Sequence, residues 1–167
     1  TDFAKYRYPS ALELSPDSRY LTFALKEVDE EGDGYRWNLW LYDLERRESR
    51  QITQGDDQRK AVWEDNTHIL YKTTEPDEAL RARGFEEEWT VYHRLNVCTG
   101  EDREAFRLPM SVSGLWKMDE GRYVFTGETH LDRPNLLELT GEALEKELVR
   151  RQQTRGYKVL TELPLCE

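Results

Sequence analysis

The first third of the chain alternates short apolar segments with polar turns. Residues 11–14 alternate apolar and polar side chains, and residues 15–18 form a predicted turn in which Pro16 presets the backbone. Residues 20–25 carry β-forming side chains with an apolar residue at every second position, which predicts a strand. The charged, glycine-containing residues 26–36 predict a solvated loop.

A second strand and a closing strand complete this first unit. Residues 37–44 form a nearly continuous apolar run, which is typical of a strand covered on both faces. Residues 45–49 are predicted to turn the chain, and residues 50–53 to pair back as a short strand. The order of turn, strand, loop, strand, turn and strand is that of one blade of a β-propeller.

The chain then repeats the same order. Residues 68–72 take the place of residues 20–24, 48 positions on, and Asn96 falls 53 positions after Asp43. A self-match with a period near 50 is the signature of a propeller array. Within this second unit, residues 61–63 begin the predicted blade, and residues 64–67 and 99–102 form its turns. Residues 88–97 and 105–108 are predicted to form later strands. Residues 76–83 are predicted to form a short helix.

A third unit begins with the same pattern but departs from it. Residues 112–117 and 122–126 predict its first two strands, joined by a turn. A helix at about residues 141–155 follows where the third strand is expected, with Thr140 as its cap, acidic residues in its first turn and arginines near its end. Residues 157–163 are predicted to be extended.

These patterns predict a mainly β fold, an incomplete β-propeller of about two and a half antiparallel four-stranded blades with a helical insertion in the third unit. The predicted units are residues 1–55, 56–109 and 110–167. Because a closed propeller needs roughly four to eight blades, such a chain exposes an apolar blade face and a strand edge. We therefore expect the isolated chain to self-associate.

Composition excludes several classes of function. The 34 acidic residues outnumber the 24 basic ones and give a net charge of −10, which disfavours binding to nucleic acid or anionic lipid. The sequence contains no run of about 18 apolar residues, so it predicts no membrane span. Cys98 and Cys166 show no metal-ligand spacing and are interpreted as reduced thiols of a cytoplasmic protein. The three histidines show no paired spacing, so no metal or cofactor is expected.

Motifs for covalent catalysis are absent from the sequence. None of the serines has glycine on both sides at the spacing of a G-x-S-x-G elbow, and no glycine-rich phosphate loop occurs. The carboxylates of residues 27–33 do not fit an EF-hand, which favours a solvated loop over a calcium site. The tryptophans recur at strand positions and are interpreted as packing between blades. We expect no catalytic residue in this chain.

Several segments carry a family resemblance. Residues 14–23 (L-S-P-D-S-R-Y-L-T-F), 38–44 (N-L-W-L-Y-D-L) and 50–53 (R-Q-I-T) resemble the TolB-like propeller repeat, which usually has glycine where this chain has Ser18. More closely, the chain looks like the N-terminal propeller of prolyl oligopeptidase family serine peptidases, of the acylaminoacyl-peptidase and dipeptidyl-peptidase type. The segments that carry this second resemblance are residues 8–10 (Y-P-S), 90–96 (T-V-Y-H-R-L-N), 105–109 (A-F-R-L-P) and 156–164 (G-Y-K-V-L-T-E-L-P).

This resemblance implies a function for the parent protein. In the family, a C-terminal α/β-hydrolase domain holds the serine nucleophile, and the propeller admits only short peptides to it. The implied partners are the remaining blades, that hydrolase domain and short peptide substrates. The alternative is a TolB-like propeller module that binds other proteins. Leu165 and Cys166 stand where the family tends to have an aromatic pair, a departure from its pattern.

One acidic run is the candidate site. In some dipeptidyl peptidases, paired propeller glutamates hold the free amino terminus of the substrate by ion pairing, so the resemblance makes Glu86, Glu87 and Glu88 candidates for that role. The alternative is a charge run that flanks a strand, and the sequence favours it.

Overall fold

The computed structural model describes residues 7–29, 34–55, 57–76, 78–82, 88–108, 110–127, 134 and 139–154. The strands in these residues are β1 (Tyr8–Leu14), β2 (Tyr20–Asp29), β3 (Gly34–Asp43), β4 (Glu48–Gln51), β5 (Ala61–Trp63), β6 (His68–Pro76), β7 (Glu88–Asn96), β8 (Asp102–Leu108), β9 (Val112–Lys117) and β10 (Tyr123–Gly127). The α-helices are α1 (Glu78–Arg81) and α2 (Gly141–Thr154).

The strands form three antiparallel sheets in chain order. The first sheet is β1-β2-β3-β4, the second is β5-β6-β7-β8, and β9 pairs with β10 in the third. Each four-stranded sheet is therefore a meander built from one contiguous stretch of chain. The predicted fold class is confirmed: the molecule is mainly β, with the blades of an incomplete propeller and the helical insertion α2 in the third unit.

The first two sheets pack face to face through a shared apolar core. Leu39 and Leu41 of β3 lie against Ile69 of β6 and Leu95 of β7, all of them buried. At the rim of this core, Trp63 donates a hydrogen bond from its ring nitrogen to the Glu13 carbonyl oxygen, 3.2 Å away. Because apolar side chains from both sheets interdigitate here, neither sheet has a complete core by itself.

The opposite face of the second sheet packs on the third. Leu70 and Tyr92 are buried against Val112 and Leu115 of β9, and the Tyr92 ring stacks on Phe106 with 5.0 Å between ring centroids. The middle sheet is thus covered on both faces, as expected for a propeller blade between two neighbours.

The prediction that residues 37–44 form a strand covered on both faces is wrong for one of those faces. Leu39 and Leu41 face the second sheet, but Trp40 and Tyr42 on the other side of β3 are only half-buried. Phe23 of β2 stacks on Trp40, with ring centroids 6.5 Å apart. Among the described residues, the first sheet packs against another sheet on one face only. On its other face, the aromatic side chains contact each other.

The loop predicted at residues 26–36 is also corrected, because β2 and β3 extend into it as far as Asp29 and Gly34. The Lys26 ammonium lies 3.6 Å from the Tyr35 ring centroid and 5.3 Å from that of Trp37. A cation held over aromatic rings of the neighbouring strand stabilises the pairing despite the charge of the sequence.

Three smaller boundaries differ from the prediction. Strand β4 lies at Glu48–Gln51 rather than at residues 50–53, and β8 begins at Asp102 rather than at residue 105. Pro76 ends β6 instead of beginning the short helix, which is α1 at Glu78–Arg81. Strands β4 and β8 begin earlier than predicted because cross-strand pairing includes polar residues whose side chains face solvent. The extended segment predicted at residues 157–163 lies outside the described residues.

Helix α2 packs on the second sheet through one buried residue. Leu148 contacts Trp89 near the start of β7 and Leu139 before the helix. Beside Leu148, the buried Glu147 carboxylate accepts hydrogen bonds from Arg150 at 2.8 Å and Arg151 at 3.0 Å. These bonds lower the pKa of Glu147 and keep its charge paired at the interface.

The turn between β5 and β6 is held by one carboxylate. Asp65 accepts hydrogen bonds from the backbone N–H groups of Thr67 at 2.7 Å and His68 at 2.8 Å. Partial burial acts to raise the pKa of Asp65, but these bonds and one from the Thr67 hydroxyl outweigh it and lower the pKa to about 2. The ionised carboxylate therefore stabilises the turn.

Replacing Asp65 by alanine should reduce the free energy of unfolding by about 1 kcal/mol at pH 7, because two backbone donors lose their acceptor. The pKa of Asp65 is depressed in the fold, so its contribution is complete above the ordinary value of 3.8 and is lost as the pH falls through about 2. Urea unfolding of both proteins between pH 7 and pH 2 measures the difference. A penalty that stays constant over this range would contradict the assignment.

Candidate functional site

The antiparallel order sends the loops of the sheets to two opposite ends. One end, called here the connector end, is where β2, β4, β6 and β8 end and where β3, β5, β7 and β9 begin. The other, called the turn end, receives the short turns that follow β1, β3, β5, β7 and β9. A parallel bridge between Trp37 and Asp57 ties the connector of residues 52–60 to the first sheet.

One residue of the glutamate run, Glu88, lies at the connector end. Glu88 is the first residue of β7, and its backbone pairs with Pro76. Glu86 and Glu87 lie outside the described residues, as does the side chain of Glu88. The role of the run in binding a substrate amine therefore stays a prediction.

A small polar pocket opens at the connector end between the first two sheets. This connector pocket has a volume of about 190 Å³ and is lined by Asp57, Gln58, Lys72, Thr73 and Thr74. The backbone of Gln58 donates to the Trp37 carbonyl oxygen at 2.9 Å, and the Lys72 ammonium donates to the Val112 carbonyl oxygen at 2.6 Å. Sequence reasoning missed this pocket, because no motif marks the connector that forms it.

Cations cover the aromatic residues beside this pocket. The Arg59 guanidinium lies 4.0 Å from the Trp37 ring centroid, on a ring that Lys26 also approaches. Tyr35 is 55% exposed.

The interpretation of all tryptophans as packing between blades holds for the buried Trp63 but not for Trp116, which is exposed.

Two carboxylates flank His93 on the face shared with the first sheet. The Nε2 atom lies 3.1 Å from Glu75 Oε1, and Nδ1 lies 3.5 Å from Asp102 Oδ1. Tyr71 stacks on the imidazole at 5.2 Å between ring centroids and donates its hydroxyl proton to Asp102. Burial and this bond raise the pKa of Tyr71, so its hydroxyl remains a donor. Among the described residues, the polar partners of the imidazole nitrogens are these two carboxylates, and no serine or cysteine hydrogen-bonds to them.

At the turn end, an ion pair within the second unit is linked to the third sheet by Tyr123. Arg94 binds both carboxylate oxygens of Glu64, with Nη2 2.6 Å from Oε1, and Tyr123 of β10 donates its hydroxyl to the same carboxylate. Burial opposes ionisation of Glu64, but the bonds from Arg94 and Tyr123 outweigh it and lower the pKa of Glu64. Burial and the bond to Glu64 raise the pKa of Tyr123 to about 12. This geometry is that of a structural clamp.

Of the two cysteines, Cys98 lies in the described part of the chain. Cys98 is exposed at the turn end, with its sulfur 3.9 Å from the Tyr20 hydroxyl, and Cys166 lies outside the described residues. Within the described ranges, no group of three histidine, cysteine, aspartate or glutamate side chains is placed to hold a metal ion. The same residues contain no helix long and apolar enough to cross a membrane.

Stacked four-stranded meanders of this kind define the β-propeller class, and solved structures share the fold. One is the β-propeller domain of the trilobed protease from Pyrococcus furiosus, described as having an open velcro topology. Its TM-score is 0.52 at 12% identity, over 74% of this chain and 34% of that one. Another is an acylaminoacyl peptidase from Pyrococcus horikoshii, with a TM-score of 0.55 at 14% identity over 78% of this chain and 19% of that one.

At these identities the likeness shows the propeller fold. This chain spans about a third of the length of the first matched structure and about a fifth of the second. No model of a known protein family matches the sequence, and no curated protein matches it either.

Proposed function

We propose that this chain is the non-catalytic propeller part of a prolyl oligopeptidase family serine peptidase that acts on short peptides, of the acylaminoacyl-peptidase or dipeptidyl-peptidase type. The observation that carries the proposal is the match of its stacked sheets to the propellers of two peptidases, over 74% and 78% of the chain. The propeller repeat at residues 14–23 and 38–44 supports it independently.

In this proposal the propeller restricts access and leaves the chemistry to another domain. The serine nucleophile, its histidine base and the orienting aspartate belong to an α/β-hydrolase domain. The chain contributes a stiff wall, because the middle sheet is packed on both faces by Leu39 and Leu41 on one side and by Val112 and Leu115 on the other. In this proposal, the opening left by such walls in the parent protein is too narrow for folded proteins but admits short extended peptides.

Further blades of the parent protein are the partners that this proposal requires. The half-buried face with Trp40 and Tyr42 is an apolar surface that a neighbouring blade would cover. The helix α2 and the connectors lie at the connector end, where the proposal places the hydrolase domain.

The amino-acid sequence of the full-length parent protein tests this function. The proposal predicts further blades followed by a G-x-S-x-G elbow and then by aspartate and histidine in that order. A propeller that closes without any hydrolase domain would contradict it and would favour a module that binds other proteins.

A further inference from the structure

A polar pocket opens at the turn end between the second and third sheets. This turn pocket has a volume of about 390 Å³, and its charged side chains and its histidine are Glu64, Asp65, His68, Arg94, Arg103 and Lys117. These residues come from the turn between β5 and β6, from β6, β7 and β8 of the second sheet, and from β9 of the third. The pocket is therefore built from two sheets rather than from one surface loop.

Both carboxylates of the turn pocket already have their donors. Glu64 accepts hydrogen bonds from two nitrogens of Arg94 and from the Tyr123 hydroxyl. Asp65 accepts from two backbone N–H groups of its own turn, at 2.7 and 2.8 Å, and from the Thr67 hydroxyl at 3.0 Å. Each carboxylate thus accepts at least three hydrogen bonds, and neither depends on a further cation of the pocket.

His68 contributes no positive charge to the pocket. The Asn96 side-chain oxygen accepts from the backbone N–H groups of Cys98 at 2.9 Å and Thr99 at 3.0 Å, which fixes the orientation of the amide. The Asn96 amide nitrogen therefore faces His68 Nε2 at 3.2 Å, and as a donor it requires that ring nitrogen to be an acceptor. The imidazole is then neutral, with its Nδ1–H donated to Asp65 at 2.9 Å.

Two cations of the pocket have no carboxylate partner among the described residues. Arg103 of β8 lies directly opposite Arg94 of β7, and like charges in that position weaken strand pairing. Glu64 neutralises Arg94, but the Arg103 side chain makes no hydrogen bond or ion pair with the described residues. The Lys117 ammonium donates to the Glu64 backbone carbonyl, which is a neutral acceptor, and keeps two further N–H groups. An anion in the pocket would offset these charges.

The charge and the geometry of these donors favour a carboxylate. With His68 neutral, three basic and two acidic side chains leave the pocket one net positive charge, on a chain whose net charge is −10. One monoanion neutralises that charge, whereas a phosphate dianion would leave the pocket negative. The planar guanidinium of Arg103 offers two parallel N–H groups that match the two oxygens of a carboxylate.

We propose that the turn pocket binds the carboxylate of a small molecule, with the Arg103 guanidinium as its bidentate donor and the Lys117 ammonium as a second donor. Two sources present this group, namely the C-terminus of a short peptide and a free organic acid. Binding requires no rearrangement of the Glu64 pair, because Arg94 keeps its own carboxylate. Since every residue of the site belongs to this chain, binding does not depend on a hydrolase domain.

The test titrates the 167-residue chain with N-acetyl-alanyl-alanine, which carries one carboxylate, at low salt, where exposed charges are least screened. We expect the backbone amide signals of residues 64–68, 94, 103 and 117 to shift and to saturate at millimolar ligand. The amide of the same dipeptide replaces the carboxylate by a neutral group of equal size and should bind at least about fivefold more weakly. Acetate tests the source: binding at least as tight as that of the dipeptide acid assigns the site to free acids, and weaker binding assigns it to a peptide terminus.

Arg103→Gln removes the bidentate donor and should weaken binding of the dipeptide acid at least about fivefold. It also removes one of two opposed charges, so we expect this variant to unfold at the same or a higher urea concentration. The matched control Arg81→Gln makes the same change of charge on helix α1, where Arg81 is 66% exposed, and should bind as the unchanged chain does.

Equal binding of the acid and the amide, or no shifts in the unchanged chain, would overturn the proposal. So would undiminished binding by Arg103→Gln, an equal loss in Arg81→Gln, or tighter binding of methyl phosphate than of the dipeptide acid. The comparison of acid and amide uses the unchanged chain, so it does not depend on the folding of any variant.

Discussion

Replacing Ile69 by alanine should reduce the free energy of unfolding by about 3–4 kcal/mol. Ile69 is fully buried between the first two sheets, where it packs in the cluster that contains Leu39, Leu41 and Leu95. The substitution removes apolar contacts and leaves a cavity that two opposed sheets cannot easily close. Urea unfolding followed by tryptophan fluorescence measures the loss, since Trp63 belongs to the same cluster.

The control for this substitution is Leu12→Ala. Leu12 is 59% exposed on the first sheet, so its truncation should cost less than about 0.5 kcal/mol. Equal losses for the two variants would contradict the packing of the first sheet on the second.

Replacing Glu64 by alanine is expected to destabilise the protein by about 2–3 kcal/mol, because it leaves the Arg94 guanidinium and the Tyr123 hydroxyl without their shared acceptor. The Glu64 side chain is 9% exposed, but Arg94 is 36% exposed, and its partial hydration places the loss below that of a fully buried pair. Chemical denaturation at pH 7 measures the effect.

Glu104→Ala provides the comparison for Glu64→Ala. The pair of Glu104 and Arg107 has similar geometry, with 2.7 Å between Oε1 and Nε, but lies at the surface. Its loss should cost less than about 1 kcal/mol. If both variants lost the same stability, burial of the Glu64 network between the second and third sheets would not be its main source of stabilisation.

The blade pattern was predictable because it depends on local chemistry. Turn residues such as Asp17 and Asp65 bind backbone N–H groups two or three positions on, and this spacing is visible in the sequence. Alternation of apolar side chains then identifies the strands between the turns. The repeat near 50 residues adds the information that the units stack, and the stacked cores confirm it.

Features set by distant residues were not predictable in the same way. The bonds of Glu64 to Arg94 and Tyr123 span 30 and 59 positions, and no spacing rule connects them. The extension of β2 and β3 through charged residues depends on the contact of Lys26 with Tyr35, which exists only after the strands have paired. Charge alone therefore favoured a loop where the structure has a hairpin.

Sequence reasoning identified one of the two candidate sites and missed the other. The run of Glu86, Glu87 and Glu88 was found by its charge, and topology assigns its last residue, Glu88, to the connector end. The connector pocket was invisible because Gln58 sits in a polar segment that resembles any surface loop. Only its burial and the absence of a partner among the described residues distinguish it from the exposed Gln54 of the same connector.

Labelling by a fluorophosphonate probe tests most directly whether this propeller belongs to a serine peptidase. The full-length parent protein is treated with the probe beside an active serine hydrolase, and its intact mass is measured. We predict a species much heavier than 19.9 kDa that takes up one label, while the 167-residue chain alone takes up none. A full-length protein that stays unlabelled while the control hydrolase reacts would contradict the claim.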